Sequence, residues 1–225
     1  MTGSKSAPHG FPVVGIGASA GGVSALKSFF EKAPVDGGLA YVVIMHLSKD
    51  HESVLAQILQ TSTRMPVRQV NEPLTVEPDH VYVIPPDRNL AMIDGIISLT
   101  ARAEAPGKRI PIDLFFRTLA DAYGKDAYAV VLSGTGKDGT MGIERVKEVG
   151  GVTLVQSPED AEFDGMPLSA IATHLIDIVL PAAELPAKIV SIHEFDRKTS
   201  HPGLPSSTDI TEDEQEAASL REILG

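Results

Sequence analysis

The sequence predicts an α/β fold: a doubly wound, mostly parallel sheet with helices on both faces and a small antiparallel hairpin excursion. Short apolar runs with no polar interruption, such as Ala40–Met45, are typical of parallel strands that are buried on both faces. These runs alternate along the chain with amphipathic helical segments, such as Pro111–Tyr123. The dipeptide Asp94-Gly95 between two apolar runs indicates a tight hairpin turn, which accounts for the antiparallel part.

The individual elements are predicted from local patterns. Strands are assigned to apolar runs bounded by turn residues: residues 12–16, 40–45, 67–70, 81–84, 90–93, 96–99, 127–132, 152–155 and 176–180. Helices are assigned from apolar residues at helical spacing, proline in a first turn and glycine at an end. They cover residues 23–32, 50–60, 111–123, 143–149, 167–174 and 184–195, with Ser48 or Asp50 as the N-cap of the second.

The domain organisation follows from length and local composition. A chain of 225 residues with 43% hydrophobic content suits one domain with a proper core, which we predict at residues 12–195 after an extension of residues 1–11. Residues 198–212 are rich in Ser, Thr, Pro and Gly, and the start of a further helix follows. We therefore expect residues 196–225 to be a flexible linker and the chain to be a fragment of a longer protein.

Composition also excludes several classes of function. With no cysteine, the chain has no disulfide, thiol nucleophile or zinc–thiolate site. It contains neither an apolar run long enough to span a membrane nor a secretory segment, so we expect a cytoplasmic protein without membrane insertion. The net charge of −11 disfavours nucleic acid as the main partner. No pair of histidines has a convincing metal spacing, and we expect neither a metal nor a cofactor.

Three polar residues each follow an apolar strand. Ser19 follows the first predicted strand, His46 follows the second directly, and Asp138 lies in the glycine-rich loop after residues 127–132. Because the carboxyl ends of parallel strands meet at one edge of a sheet, we expect the three side chains to converge. A serine, a histidine and an acid make up a hydrolytic triad, in which histidine takes the serine proton and the acid holds the imidazole tautomer.

Each of the three residues also has a simpler structural explanation. Ser19 could be a small residue at a helix start, His46 a capping or core histidine, and Asp138 the N-cap of the helix that follows it. Their joint occurrence at three strand ends is what favours catalysis.

Two other functions remain as alternatives. Residues 15–20 (GIGASA) fit the G-x-G-x-x-A pattern of dinucleotide-binding proteins, but that pattern expects an acid at the end of the second strand, where His46 stands. A non-catalytic signalling or interaction module on the same fold is the other alternative, and it leaves three polar groups at one edge unexplained.

Five segments resemble the catalytic domain of the CheB-type chemotaxis receptor methylesterases. They span about residues 12–193 in the order of the family: residues 15–22 (GIGASAGG), 42–48 (VVIMHLS), 81–89 (VYVIPPDRN), 131–142 (VLSGTGKDGTMG) and 163–170 (FDGMPLSA). The resemblance implies a doubly wound α/β fold and hydrolysis of glutamate γ-methyl esters on cytoplasmic receptor helices, with release of methanol. It also implies glutamine deamidation as a further activity, and no cofactor.

The family's nucleophile, base and acid correspond to Ser19, His46 and Asp138. Ala20 stands where the family often has threonine and Thr135 where it often has methionine, which suggests altered packing or substrate fit.

For the remainder of the site, we expect backbone N–H groups at Ala20, Thr135 and Gly136 to hold the oxyanion. Met166, in the loop of residues 163–167, is expected to form part of a wall of the substrate groove.

The sequences of residues 133–140 and 163–167 resemble those of the subgroup fused to a CheR-type methyltransferase. The expected partners are therefore methylated receptor helices as substrate and a fused or separate methyltransferase. Because the chain starts about ten residues before its first predicted strand, we expect no N-terminal receiver domain.

Overall fold

The computed structural model describes residues 10–46, 54–86, 88–101 and 110–200. Residues up to Val190 form one compact unit. A second unit begins at Ser191, and its described part is the C-terminal portion of one helix. The predicted domain end at residue 195 lies within this helix, and the division of the chain into domains stays a prediction.

The described chain alternates between strands and helices. In chain order the strands are β1 (Val13–Ala18), β2 (Ala40–Met45), β3 (Val67–Gln69), β4 (Leu74–Thr75), β5 (Val81–Val83), β6 (Arg88–Ile93), β7 (Ile96–Ala101), β8 (Ala127–Val131), β9 (Val152–Gln156) and β10 (Ile178–Leu180). The α-helices are α1 (Gly22–Phe30), α2 (Leu55–Gln60), α3 (Pro111–Tyr123), α4 (Thr140–Glu148), α5 (Gly165–Ile171) and α6 (Leu185–Ser200). A short 3-10 turn, Gly124–Asp126, leads from α3 into β8.

Seven of the strands form one parallel sheet in the order β10-β9-β8-β1-β2-β5-β3. The remaining three form a small antiparallel sheet in the order β4-β7-β6, which contains the predicted Asp94-Gly95 hairpin. The predicted fold class is therefore confirmed. Strand β1 lies between β2 and β8, where the order of the strands reverses, and ligand sites in open α/β sheets form at such a switch point.

Helix α3 packs directly on β1 because β1 carries glycines on that face. A Cβ atom built at Gly17 would lie 2.5 Å from the side chain of Ile112, so any larger residue there would push the helix away. The helix places Ile112, Phe115, Phe116 and Leu119 at helical spacing in the core. This close approach brings the first turn of α3 to the carboxyl edge of the sheet.

The structure differs from the sequence prediction mainly at short elements and helix ends. Strand β4 was not predicted; it has two residues and pairs only with β7. Helix α2 is described from Leu55, and the proposed N-caps Ser48 and Asp50 lie outside the described residues. Helix α6 continues to Ser200 and so includes the first residues of the predicted linker, whose remainder is outside the described residues. Within the described residues, no helix combines the length and the apolar character that a membrane crossing requires.

We expect Tyr123→Phe to stabilise the protein. The Tyr123 side chain is fully buried, and its hydroxyl has no hydrogen-bond partner among the described residues. Burial raises the pKa of Tyr123 to about 12, whereas an unfolded chain releases this proton near pH 10. Below pH 10 the proton is bound in both states, so it does not change the free energy of unfolding. Between pH 10 and 12 the unfolded chain releases the proton and the folded chain keeps it, so the free energy of unfolding falls as the pH rises.

Denaturant unfolding at pH 7 and at several pH values above 10 checks this prediction. The variant should gain about 1 kcal/mol at neutral pH, where a buried unpaired hydroxyl has been removed, and lose less stability above pH 10. Tyr82→Phe is the matched control: this hydroxyl accepts a hydrogen bond from the Glu77 backbone N–H at 2.9 Å, so its removal should destabilise the protein. Equal effects of the two substitutions at pH 7 would contradict the prediction.

Candidate active site

The three predicted catalytic residues lie at the carboxyl ends of three neighbouring strands. Ser19 follows β1, His46 follows β2, and Asp138 lies in the loop between β8 and α4. The parallel register pairs Ala18 with Met45, so that the next residue on each strand begins at the same level of the sheet. The central position of β1 places the serine between the other two.

Hydrogen bonds join the three side chains. Ser19 Oγ lies 3.2 Å from His46 Nδ1, and His46 Nε2 lies 2.9 Å from Asp138 Oδ2. Because a carboxylate can only accept, Nε2 carries the proton and Nδ1 is left free to accept the serine hydroxyl. The ring is used in the opposite sense from the trypsin arrangement, in which Nε2 faces the serine. The side chains that sequence reasoning selected therefore form one continuous path for a proton.

Asp138 is held by the first turn of α3. Its side chain is 5% exposed, and its two oxygens accept the backbone N–H groups of Ile112 at 3.1 Å and Asp113 at 3.0 Å. These N–H groups have no partner within their own helix, and the positive end of the helix dipole favours a negative group there. The simpler explanation for Asp138 was the N-cap of α4, but Gly139 occupies that position and Asp138 caps α3 instead.

The turn that carries Ser19 is fixed by backbone contacts on both sides. Ser19 N–H donates to the Ser133 carbonyl at 3.0 Å, and Gly22 N–H donates to the Ser19 carbonyl at 2.9 Å. Gly21 has a φ of 70°, a conformation that favours glycine, and a Cβ there would lie 2.7 Å from Ser133 Oγ. The tight turn therefore requires glycine and leaves the hydroxyl of Ser19 beside the histidine ring.

Ser133 is an important residue of the site that sequence reasoning did not select. It is buried, and its Oγ donates to the Ala20 carbonyl at 2.9 Å and accepts the Phe163 N–H at 3.0 Å. Its own N–H donates to Gln156 Oε1 at 2.8 Å. One hydroxyl therefore connects the nucleophile turn to the loop before α5, and a small polar residue directly after a buried strand was the signal for it.

The predicted oxyanion donors lie beside these turns. Ala20 is half-buried, whereas Thr135 and Gly136 are exposed in the loop between β8 and α4. Among the described residues, none accepts a hydrogen bond from the backbone N–H of Ala20, Thr135 or Gly136. The Gly136 carbonyl accepts the hydroxyl of Ser169 at 3.1 Å, which fastens the loop to α5. Their role as oxyanion donors stays a prediction.

Met166 occupies a different place from the predicted substrate wall. Its side chain is 1% exposed, and its sulfur lies where a Cβ atom of residue 134 would project. The buried side chain packs against Gly134 and is not accessible to a substrate. The exposed apolar residue of the same loop is Phe163, which is 41% exposed and whose carbonyl accepts the Gly134 N–H at 2.9 Å.

We expect Gly134→Ala to reduce the reactivity of Ser19. The new Cβ would collide with the Met166 sulfur and lie 2.9 Å from the Ser19 Cβ, so the nucleophile turn must shift. A displacement of about 1 Å can lower catalysis about 100-fold, and overpacking costs about 1–3 kcal/mol of stability. The labelling rate of Ser19 by a fluorophosphonate probe and the thermal unfolding midpoint measure the two effects.

Gly37→Ala is the control for this substitution. A Cβ atom at Gly37 would lie 3.3 Å from its nearest neighbour, Val190 Cγ2, and would not contact the turn that carries Ser19. This control should label at the wild-type rate. A Gly134→Ala variant that also labels at that rate would contradict the close contact.

The glycines of the dinucleotide-like pattern serve packing. Gly15 and Gly17 lie within β1, where Cβ atoms would meet the side chains of Phe116 and Ile112 of α3. The space that a phosphate would need near these two glycines is filled by the helix. The pattern therefore has an explanation that involves no nucleotide.

Comparisons with known proteins identify the family of this chain. The CheB methylesterase family model matches residues 14–189, a span that contains Ser19, His46 and Asp138. A protein-glutamate methylesterase/protein-glutamine glutaminase of Pyrococcus horikoshii is 30% identical over 188 residues, which are 82% of this chain and 51% of that protein. An uncharacterized 104.1 kDa protein of Rhodobacter capsulatus is 44% identical over 126 residues, which are 56% of this chain and 13% of that protein.

A solved structure also matches the fold. The catalytic domain of the Thermotoga maritima CheB methylesterase superposes with a TM-score of 0.75 at 29% identity and covers 81% of this chain and 98% of that domain. The chain spans about half the length of the Pyrococcus relative and a smaller share of the Rhodobacter protein. Because the family model covers most of the chain, the chain belongs to the CheB methylesterase family.

Proposed function

We propose that this chain is a protein-glutamate methylesterase that hydrolyses glutamate γ-methyl esters on the cytoplasmic helices of chemoreceptors. The observation that supports this function best is the continuous set of hydrogen bonds from Ser19 through His46 to Asp138. Membership of the family supports the substrate class, since the Pyrococcus relative is named a protein-glutamate methylesterase/protein-glutamine glutaminase.

In the first half of the reaction, His46 Nδ1 takes the proton of Ser19 as Oγ attacks the ester carbonyl carbon. The new C–O bond gives a tetrahedral intermediate, and Asp138 stabilises the imidazolium that forms. His46 then returns the proton to the methoxy oxygen, the C–O bond to that oxygen breaks, and methanol leaves. A glutamyl ester of Ser19 remains.

The negative oxygen of the tetrahedral intermediate requires hydrogen-bond donors. The backbone N–H groups of Ala20, Thr135 and Gly136 make no hydrogen bond to the described residues, which supports their use for this purpose. One such donor contributes about 3–4 kcal/mol to the stabilisation of the transition state.

In the second half, His46 removes a proton from water, which attacks the acyl-enzyme carbonyl. The serine oxygen leaves and takes back the proton, and the product is a free glutamate side chain. Glutamine deamidation follows the same path with ammonia as the first leaving group, and we include it as a second activity of the site.

The proposed substrate also sets the expected location and partners. Receptor helices that carry these glutamates lie in the cytoplasm, so the chain is proposed to act there. A methyltransferase, fused or separate, is the proposed partner because it would form the ester that this chain removes.

The test is methanol release from methyl-esterified receptor cytoplasmic fragments incubated with the purified chain. The proposed function predicts release that depends on Ser19, together with the appearance of free glutamate at the modified positions by mass spectrometry. Ammonia release from unmodified glutamine-containing fragments tests the second activity. A folded protein whose Ser19 reacts with a fluorophosphonate but which releases no methanol would indicate another ester substrate. A folded protein with an unreactive Ser19 would favour the non-catalytic interaction module.

A further inference from the structure

Asp113 is a buried carboxylate that the reaction described above does not use. It lies in the first turn of α3 and is 4% exposed. Its Oδ1 accepts the Gly142 backbone N–H at 2.9 Å. Gly142 lies in the first turn of α4, so Asp113 caps a helix other than its own.

The capping is reciprocal with that of Asp138. Asp138 directly precedes Gly139, the N-cap of α4, and accepts two N–H groups from the first turn of α3, one of which is that of Asp113 itself. Asp113, at the start of α3, therefore accepts a hydrogen bond from the start of α4. Asp138, which precedes α4, accepts hydrogen bonds from the start of α3. A displacement of Asp113 moves the start of α4, and with it the loop that carries Asp138.

Two neighbouring buried carboxyl groups repel each other when both are ionised, which makes them an unfavourable pair of helix caps. Burial raises the pKa of Asp113, as does the neighbouring Asp138 carboxylate, and the hydrogen bond from the Gly142 N–H offsets part of this effect. A serine or threonine can cap a helix without that repulsion. The presence of an acid at this position is therefore consistent with a demand on the position of Asp138 and not only on helix stability.

We propose that Asp113 is a positioning residue of the triad, which locks Asp138 against His46 by binding the start of α4. The catalytic meaning of this inference rests on the proposed function. Its main readouts do not require the receptor substrate. A negative methylesterase assay can therefore be distinguished from a result showing that Asp113 does not position Asp138.

The test replaces Asp113 by alanine, which removes the acceptor of the Gly142 N–H, and uses Asp121→Ala as the matched control. Asp121 also joins α3 to α4, because the guanidinium of Arg145 donates to it at 2.7 Å, but this pair is exposed and lies far along both helices. A residue that merely holds the two helices together should behave like this control. A residue that positions the triad should not.

Proton NMR provides the first readout, since the His46 Nε2–H shared with Asp138 gives a low-field resonance. We expect Asp113→Ala to shift this resonance upfield or abolish it, and to slow fluorophosphonate labelling of Ser19 by about 10- to 100-fold. With a substrate, kcat should fall by a similar factor and KM should stay within about twofold, the pattern of an interaction used in the transition state. The control should match the wild type in every respect.

A folded Asp113→Ala variant with the wild-type resonance and labelling rate would overturn the proposal. Should that variant fail to fold, hydrogen exchange in Asp138→Asn decides instead. The Gly142 N–H binds Asp113 and not Asp138, so faster exchange there in Asp138→Asn supports the reciprocal lock. Unchanged exchange at Gly142 would refute it.

Discussion

Replacement of Ser19 by alanine is expected to lower kcat/KM for ester hydrolysis by about 10⁴- to 10⁶-fold and to leave the fold intact. The Ser19 hydroxyl is the atom that forms the acyl-enzyme, and its hydrogen bond goes to His46. The bonds that shape the turn are made by the backbone of Ser19 and survive the substitution. Loss of activity without loss of structure is therefore the expected result.

Methanol release, fluorophosphonate labelling and thermal unfolding measured on one preparation check this prediction. Ser24→Ala is the matched control, because Ser24 is an exposed serine on the neighbouring helix α1. It should retain wild-type activity and labelling. A Ser19→Ala protein that still releases methanol at more than about one hundredth of the wild-type rate would show that another group is the nucleophile.

Asp138→Asn is expected to have the second largest effect, a loss of about 10³- to 10⁴-fold in kcat. The amide nitrogen of asparagine can donate to His46 Nε2, which favours the tautomer with its proton on Nδ1. That tautomer cannot accept the hydroxyl proton of Ser19. The substitution also removes an acceptor from the first turn of α3, so the free energy of unfolding should fall by about 1 kcal/mol.

Measurement of kcat, KM and urea unfolding separates these two consequences. Asp36→Asn is a suitable control, because Asp36 is an exposed aspartate in the connection between α1 and β2. This control should change kcat by less than about twofold. An Asp138→Asn variant that keeps kcat within about tenfold of wild type would indicate that the carboxylate acts as a cap and not as the orienting acid.

Local patterns predicted the central elements well. Strand β2 and helix α3 have the predicted limits, since a continuous apolar run and a proline-started amphipathic segment are strong signals on their own. The start of α4 was predicted at residue 143 but lies at Thr140. Its first turn is polar and glycine-rich, and it is stabilised by Asp113, a residue of another helix that no local pattern connects with it.

The same distinction applies to the candidate site. The convergence of Ser19, His46 and Asp138 was predictable because each follows a buried strand, and parallel strands bring their carboxyl ends to one edge. Ser133 was missed because its bond to Ala20 joins residues 113 positions apart in the sequence. Met166 was placed on the wrong side of its loop, because the sequence of that loop does not reveal that Gly134 makes room for the methionine sulfur.

By itself, the sequence determined the fold class and predicted that Ser19, His46 and Asp138 lie together, because apolar periodicity and strand ends are local properties of the chain. Only the tertiary structure decided which ring nitrogen faces the serine, which helix Asp138 caps and how Asp113 returns the contact. These features depend on hydrogen bonds between residues 25 to 92 positions apart. Their geometry exists only after α3 has packed on β1 and brought the two helix starts to the same edge.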